Sequence, residues 1–396
     1  MAAAASRLPR RPLGATGLEV SIIGFGASPL GSVFESIDES EGVAAVHEAF
    51  RLGVNFFDTS PFYGLTRSEA VLGRALRGLP REEIVVATKC GRYGESEFDF
   101  SRARILSGLR ASLARLGLRK VDVLYAHDVE FGSPEAVLTE AIPAMLEAKA
   151  LGLADHVGVS GLPLDVLRAV LRRAPPGAVE VVLSYCHATL SDDLLAQEFL
   201  PAVSAPNSSS GGPKDQEAER PRGAEGAPQE GALHSASEGG ALHGALDGAP
   251  LHGAFDGAAL QAQPALAAPP PAPSLSGLAP AIVNASAFGM GLFTPQGPPA
   301  WHPAPPALLA AAAAARAAAA PASIAAVALR HSVFRSPRVA STLVGLCTRE
   351  QVREAVRVAT EPETEEERAA KARVDAALAG VRNLGWPSGR DEWRQA

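Results

Sequence analysis

Short β-branched runs alternate with longer amphipathic stretches along most of this 396-residue chain, and this rhythm constrains its fold most. Eight runs resemble strands: SIIGFG, NFFDTS, EIVVATKC, VDVLYAHD, HVGVSG, VEVVLSYCH, AIVNASAF and STLVGL. Helical patterns such as SEGVAAVHEAFRLG and SRARILSGLRASLARLGL lie between them, several opened by Ser and closed by Gly. Eight strand-then-helix units predict an α/β protein, a (β/α)8 TIM barrel with its chemistry at the carboxyl ends of the strands.

A doubly wound open sheet is the structural alternative. That fold usually places G-x-G-x-x-G after the first strand, whereas GFGASPLG has a different spacing here. We therefore favour the barrel. The stretch RPLGATGLEV before the first strand has Gly turns between strand-like residues, which predicts an N-terminal hairpin that caps the bottom of the barrel.

One segment, residues 204–274, lacks this rhythm and predicts a long, low-complexity, disordered insert before the seventh strand. Residues 1–203 and 275–396 are then a single barrel domain. The insert holds eight acidic and three basic residues, so it carries −5 of the net charge of −7. Its leucines at 233, 242, 251 and 260 repeat every nine residues, three of them followed by His. Metal binding is one interpretation, but Gly and Ala between the histidines fix no ligand geometry, and we favour a low-complexity repeat.

The overall composition favours small-molecule chemistry. A pI near 5.8 provides no electrostatic footprint for nucleic acid or an anionic membrane surface. Three widely spaced cysteines predict neither a disulfide framework nor a metal site. The stretch ALLAAAAAARAAAAPASIAAVAL is Ala-rich and interrupted by Arg316 and Pro321, which favours a water-soluble helix over a membrane span. Without a secretory signal at the start, we predict a cytoplasmic protein.

Ionisable side chains end three consecutive predicted strands. Asp58 lies near the end of NFFDTS, Lys89 near the end of VVATKC and His127 near the end of LYAHD, and Tyr63 lies in the loop just beyond Asp58. Adjacent barrel strands are roughly 4.8 Å apart, so these side chains can converge. A buried lysine beside a carboxylate can stay charged, and we expect its charge to outweigh burial and lower the pKa of the Tyr63 phenol from about 10. Tyr63 then becomes a usable acid and base.

These four residues resemble the tetrad of the aldo-keto reductases, barrel enzymes that bind nicotinamide cofactors without a Rossmann motif. GFGASPLGSVF, VVLSYCH, GPPAWHPA and NLGWPSG resemble, within that family, the plant-type L-galactose dehydrogenases. The resemblance implies NAD-dependent oxidation of L-galactose at C1 to L-galactono-1,4-lactone, a step of ascorbate biosynthesis. It also implies that Tyr63 exchanges the proton, Lys89 and Asp58 tune its pKa, and His127 orients the sugar oxygen.

The resemblance also implies a cofactor site. Ser160 would bind the nicotinamide amide, although Gly161 replaces the Asn that usually follows it. SAFGMGL resembles a pyrophosphate loop, which implies roles for Ser286, Gly289 and Gly291. The remaining implied contacts lie in LVGLCTREQV and are Gly345, Thr348 and Gln351.

Cofactor preference depends on charges in that last stretch. Gly345 and Gln351 stand where NADP-using relatives have Lys and Arg, which favours NAD because a 2′-phosphate would lose its partners. Arg349 and Arg353 lie near enough to leave NADP open. Alternatives to the sugar dehydrogenase are a broad NADPH-dependent aldehyde reductase and a non-catalytic, cofactor-sensing barrel subunit.

The substrate contacts are less determined. We expect a sugar to contact His127, Asp128 and Trp301. Further loop candidates, each also compatible with a purely structural role, are Tyr93, Glu130 and His187. Cys90, Cys186 and Cys347 lie near strand ends, and small buried side chains are a better explanation of them than redox sensitivity. The sequence of the insert does not indicate which protein it would bind.

Overall fold

The computed structural model describes residues 8–204 and 279–394. This part of the chain contains ten strands: β1 (Arg10–Pro12), β2 (Glu19–Ser21), β3 (Ile23–Gly26), β4 (Phe56–Asp58), β5 (Val85–Cys90), β6 (Val121–Ala126), β7 (Ala154–Gly161), β8 (Val181–Tyr185), β9 (Ala281–Ala285) and β10 (Val339–Gly345). Strands β3 to β10 pair in parallel, in chain order, and β10 closes onto β3. The predicted eight-stranded barrel is therefore confirmed, and the open sheet is excluded.

Helices follow the strands around the barrel. The described α-helices are α1 (Glu39–Arg51), α2 (Arg67–Leu76), α3 (Arg102–Leu116), α4 (Ile142–Ala150), α5 (Leu164–Arg173), α6 (Leu200–Ser204), α7 (Pro306–Ala319), α8 (Ile324–Phe334), α9 (Arg349–Thr360) and α10 (Glu365–Leu378). The predicted capping residues of α3, a Ser at its start and a Gly at its end, are both present in the structure. Ser101 accepts a hydrogen bond from the Arg104 amide, and Gly117 ends the helix at φ +68°.

The N-terminal hairpin closes the amino-terminal end of the barrel, as predicted. Strands β1 and β2 pair antiparallel, and Leu13, just after β1, and Val20 in β2 are fully buried. They belong to the same apolar cluster as the inward-facing side chains of the barrel strands. Gly14 is required where the hairpin meets β9, because a Cβ there would lie 2.8 Å from the Cβ of Ala281.

Two π-helical turns depart from the regular helices that the sequence pattern predicts. They span Ala136–Ala141 and Leu195–Phe199 and continue directly into α4 and α6. Each turn ends two residues before a proline, Pro143 or Pro201. Proline has no amide hydrogen for an ordinary helical bond, so a local i→i+5 turn accommodates it.

The predicted insert occupies the expected place between α6 and β9, the seventh barrel strand. Except for Ser204, which ends α6, it lies outside the described residues, and its predicted disorder stays a prediction. Within the described ranges, no single helix is long and apolar enough to cross a membrane. The Ala-rich helices α7 and α8 meet that test only together, with a bend of 106° between them.

Candidate active site

A cavity of about 550 Å³ opens at the carboxyl ends of the barrel strands. Its walls include all four residues that the sequence analysis proposed for catalysis, Asp58, Tyr63, Lys89 and His127. Strands β4, β5 and β6 are adjacent in the barrel, so their last residues and the loops beyond them meet at this point. The predicted convergence of the four side chains is present in the structure.

Asp58 and Lys89 form a buried ion pair at the base of the cavity. Their side chains are almost inaccessible, and the Lys89 ammonium donates to Asp58 Oδ1 and, at 2.9 Å, to the carbonyl of Thr59. Asp58 Oδ2 has no hydrogen-bond partner in the described structure. Burial is the largest single influence and lowers the pKa of Lys89, but the charge of Asp58, the nearby Tyr63 and the hydrogen bonds to both raise it by more in sum, so the net pKa is raised. Lys89 is therefore a cation at neutral pH.

Tyr63 lies directly above this ion pair. The Lys89 ammonium is 4.9 Å from the centre of the Tyr63 ring, and the ring meets His127 edge to face at 5.6 Å. Burial raises the pKa of the phenol, and Lys89 lowers it by less, while Asp58 and Asp128 raise it further. The expectation that Lys89 brings the pKa of Tyr63 below its usual value is therefore wrong. Tyr63 is a neutral phenol at rest.

His127 is held as a neutral imidazole. Burial lowers its pKa to about 3. The Ser60 hydroxyl accepts from the Phe62 amide at 3.1 Å and lies 3.0 Å from His127 Nδ1. That hydroxyl is able to donate to Nδ1, and in this tautomer the ring hydrogen lies on Nε2. His127 then offers a hydrogen-bond donor to a ligand in the cavity.

Asp128 and Arg92 form a second ion pair in the cavity wall. Arg92 donates to Asp128 Oδ2 at 2.5 Å, and its guanidinium stacks 3.7 Å from the centre of the Phe62 ring. Asp128 adopts φ +49°, a left-handed conformation that is rare for a residue with a side chain and that concentrates at functional sites. The predicted sugar contact Asp128 is therefore placed in the cavity, but paired with a cation that sequence reasoning missed.

Of the other residues predicted to contact substrate, only some line the cavity. Trp301 lines the cavity, is 55% exposed, and stacks on Phe34 with ring centres 6.1 Å apart. Tyr93 lies outside the cavity lining, and its hydroxyl lies 3.2 Å from the carbonyl of Arg104 in α3. His187 is also outside that lining and uses both ring nitrogens on Asp192 and the Leu162 carbonyl. Tyr93 and His187 thus have structural partners.

The three cysteines are buried and free. Burial raises the pKa of Cys90 and of Cys186 to about 12, and it also raises that of Cys347. The thiolate is the reactive form of cysteine, so these values support the structural interpretation of all three.

The chain is similar to known proteins over nearly its whole length. Residues 22–207 match the Aldo/keto reductase family. The chain is 38% identical over 389 residues to L-galactose dehydrogenase of Arabidopsis thaliana, covering 97% of this chain and 98% of that protein. The chain belongs to the aldo/keto reductase family.

Further relatives of this aldo/keto reductase are less similar to it in sequence. A D-threo-aldose 1-dehydrogenase from Pseudomonas sp is 32% identical over 211 residues, 48% of this chain and 63% of that protein. Among solved structures, an aldo-keto reductase from Bacillus halodurans in its holo form has a TM-score of 0.59 at 19% identity, with 96% of this chain and 98% of the other covered. A glycerol dehydrogenase from Gluconobacter oxydans has a TM-score of 0.59 at 18% identity, with the same coverages. These two structures support the fold.

Members of this family use nicotinamide cofactors, and several implied contact residues fit one. Ser160, Ser286 and Gly345 line the cavity at the ends of β7, β9 and β10. The Ser286 and Met290 backbones are left-handed, a conformation that turns successive amides toward one side and suits an anion such as a pyrophosphate. When bound, the cofactor supplies a hydride acceptor.

The remaining implied cofactor residues lie outside the cavity lining. Gly289 and Gly291 are in the loop after β9, both with positive φ. Thr348 and Gln351 form the capping box of α9, in which each side chain satisfies backbone amides at the start of the helix. Cofactor binding by these four residues stays a prediction.

Arg92 and Tyr185 are among the residues of the cavity wall that sequence reasoning missed. Arg92 lies two residues after the end of β5, and Tyr185 is the last residue of β8. The signal for both was their position, since side chains just past the ends of barrel strands face the catalytic side.

Proposed function

We propose that this aldo/keto reductase oxidises L-galactose at C1 to L-galactono-1,4-lactone with NAD as the hydride acceptor. The observation that carries the proposal is the similarity to L-galactose dehydrogenase over 97% of the chain, which extends through every element of the catalytic cavity. Ascorbate formation as the pathway, and the cytoplasm as its location, are parts of the same proposal.

The four central residues have complementary roles in this reaction. Tyr63 first releases its phenolic proton to solvent, and the resulting phenolate takes the proton of the C1 hydroxyl as hydride leaves C1. The Lys89 ammonium, 4.9 Å from the Tyr63 ring, stabilises the phenolate that forms. Asp58 keeps Lys89 charged inside the barrel. Because burial favours the neutral phenol, the phenolate is a transient form that Lys89 makes accessible.

His127 and the Arg92–Asp128 pair provide the polar contacts for the sugar. The Nε2 hydrogen of His127 donates to the oxygen on C1 and so fixes the reacting carbon relative to Tyr63. Arg92 and Asp128 present donors and acceptors for sugar hydroxyls at the same wall. Trp301 offers an exposed aromatic face at the mouth for the apolar side of the ring.

Two ion pairs support NAD over NADP. Arg349 forms a two-point ion pair with Glu41, which also accepts from the Arg349 backbone amide at 2.8 Å. Arg353 pairs with Glu48 at 2.7 Å. Glu41 thus neutralises Arg349, and Arg353 is partly compensated by Glu48, a carboxylate that it shares with Arg51. Glu350 lies in the first turn of α9, and its carboxylate also repels a dianionic phosphate.

NADH formation with a panel of L- and D-aldoses tests the substrate and the reaction together. We expect L-galactose to have the highest kcat/KM, well above simple aldehydes assayed in the reductive direction. Turnover of simple aldehydes with NADPH, and none with L-galactose, would instead identify a broad aldehyde reductase. The absence of any turnover alongside tight cofactor binding would indicate a cofactor-sensing subunit.

Rates with NAD and NADP side by side test the cofactor. We expect the wild type to prefer NAD at least tenfold in kcat/KM. Glu41→Gln frees Arg349 and should narrow that preference, whereas Glu361→Gln, a change of an exposed carboxylate at the far end of α9, serves as the matched control. A strong NADP preference in the wild type would contradict the proposal.

A further inference from the structure

Glu130 is a fully buried carboxyl group to which the reaction above gives no role. It lies in the short turn Val129–Phe131 after β6, with 0% of its surface exposed. Its Oε1 accepts from the Leu162 amide at 3.0 Å, the Ser388 hydroxyl at 3.2 Å and the Tyr185 hydroxyl at 3.4 Å. One oxygen thus joins the ends of β7 and β8 to the C-terminal segment. Its other oxygen, Oε2, has no hydrogen-bond partner in the described ranges.

Two glycines make room for this side chain. A Cβ on Gly161 would lie 2.6 Å from Glu130 Oε2, and a Cβ on Gly389 would lie 2.4 Å from the Glu130 Cβ. Gly389 also has φ +84°, which disfavours any side chain there. Position 161 follows Ser160, and it is the position where the sequence comparison with the family expected Asn. The Glu130 carboxyl therefore occupies the space that an Asn side chain would need.

The C-terminal strap, residues 384–393, is fastened to the same loop. The Arg390 amide donates to the Glu130 carbonyl at 2.8 Å, and Trp393 Nε1 donates to the Gly132 carbonyl at 2.8 Å. Trp393 is buried, with 4% of its surface exposed. The loop that carries His127 is thus held from outside by the last described residues of the chain.

We propose that Glu130 is a positioning residue, which fastens the C-terminal strap and, through Tyr185, fixes one wall of the active-site cavity. Tyr185 lines that cavity while its hydroxyl lies within reach of the carboxyl group. Ligand affinity then depends on a carboxyl group that does not touch the ligand. The inference rests on the nicotinamide-dependent activity proposed above, but not on which aldose is the substrate.

Glu130→Ala and Glu130→Gln test this role in the full-length protein. The readouts are the NADH dissociation constant, followed by fluorescence without sugar, and kcat and KM for the aldose that the wild type oxidises best. We expect Glu130→Ala to raise KM or the NADH dissociation constant at least tenfold, with a smaller change in kcat. Glu130→Gln should stay within threefold of the wild type, because its amide oxygen can accept the same hydrogen bonds.

Tyr185→Phe distinguishes a path through Tyr185 from a general loosening of the fold. It should shift the same constants in the same direction, and adding it to Glu130→Ala should produce little further loss. Glu180→Gln is the matched control. Glu180 lies just before the first residue of β8, at the end opposite Tyr185, and pairs there with Lys149 and His156. It should change the Tm without changing KM.

The possible results separate this inference from the proposed function. Equal NADH affinity and equal KM in wild type and folded Glu130→Ala would overturn the role of Glu130, as would a Gln variant as impaired as the Ala variant. If Glu130→Ala does not fold, wild-type constants in both Tyr185→Phe and Ser388→Ala would overturn it. A wild type that binds NADH but oxidises no aldose would count against the proposed substrate class instead.

Discussion

At the scale of single residues, burial and the Lys89 ammonium have opposite effects on the pKa of Tyr63 at the centre of the site. Burial raises the pKa of Tyr63 by more than Lys89 lowers it. In the resting protein Tyr63 is therefore a neutral phenol beside a charged lysine. A neutral phenol is the form that donates a proton, and the phenolate that the proposed oxidation requires is stabilised by Lys89. Tyr63 is therefore the residue whose removal should affect chemistry without affecting binding.

Tyr63→Phe should lower kcat by about 10²–10⁴-fold, the usual worth of a positioned acid or base. The ring, its edge contact with His127 and the cavity shape are all kept, so the NADH dissociation constant should change by less than threefold. Stopped-flow fluorescence of NADH binding and steady-state turnover measure the two effects separately. Near-normal kcat in this variant would exclude Tyr63 as the proton-transfer residue.

Glu130 predicts a distinctive dependence of stability on pH. Burial, reinforced by Asp128, raises its pKa to about 8 from the ordinary 4.5. Between those values the folded protein holds a proton that the unfolded chain has released, so the free energy of unfolding falls as pH rises, and it levels off above about 8. Glu130→Gln carries no such proton. Its Tm advantage over the wild type should therefore grow from pH 5 to pH 8 and then stay constant.

Thermal unfolding of both proteins across pH 5–9 measures that difference, and other titrating groups cancel in it. A Tm difference that does not vary with pH would show that Glu130 is ionised in the folded protein.

The residues that sequence reasoning found and missed differ in a physical way. Asp58, Lys89 and His127 lie at or next to the ends of strands whose β-branched runs are visible in the sequence, so the barrel rule alone places them together. Arg92 was missed, and Glu130 was named only as one of several loop candidates, because both lie in irregular loops where the direction of a side chain depends on partners such as Asp128 and the C-terminal strap. The sign of the Tyr63 pKa shift also required the actual extent of burial, which no local pattern reports.

At the scale of elements, the hairpin is the clearest case of local signals that specify a tertiary role. Its glycine turns predicted the β1–β2 pair, and Leu13 and Val20 close the barrel from the end opposite the catalytic cavity. The two π-helical turns were not predicted, because an apolar helical period continues through them. Their cause, a proline two residues later, is visible in the sequence only once the helix is known to continue across it.

Leu13→Ala should lower the free energy of unfolding by about 2–5 kcal/mol, because Leu13 is fully buried and its removal leaves a cavity. Its kcat/KM should stay within twofold of the wild type, since the hairpin lies at the far end of the barrel. Leu151→Ala, at a site that is 54% exposed, is the control and should change stability by less than about 0.5 kcal/mol. Urea unfolding followed by circular dichroism measures both. A large activity loss in Leu13→Ala would show coupling between the two ends.

At the scale of the whole molecule, two neighbouring strands of the barrel are separated by a long segment of the sequence. Strands β8 and β9 pair along five residues, Val181 to Tyr185 with Ala281 to Ala285, although residues 186–280 separate them in sequence. The proposed catalytic residues and the Glu130 contacts all lie outside the predicted insert.

Replacing residues 208–273 with a Gly/Ser linker of about ten residues should keep kcat/KM within twofold and the Tm within a few degrees. The physical reason is that loop-closure free energy changes by only about 0.6 kcal/mol for each doubling of loop length. A Gly/Ser segment of the original length is the control that separates length from sequence. Loss of turnover with both replacements would assign the natural segment a role in catalysis.

The separation of β8 from β9 also has a consequence for synthesis on the ribosome. Six of the eight barrel strands emerge before the segment 205–280, which takes roughly 4–15 s to translate at usual rates of 5–20 residues per second. For that time the outer backbone edge of β8 has no neighbour, because β9 does not yet exist. The nascent protein must therefore shield an open sheet edge from other chains for several seconds before its circle of strands can close.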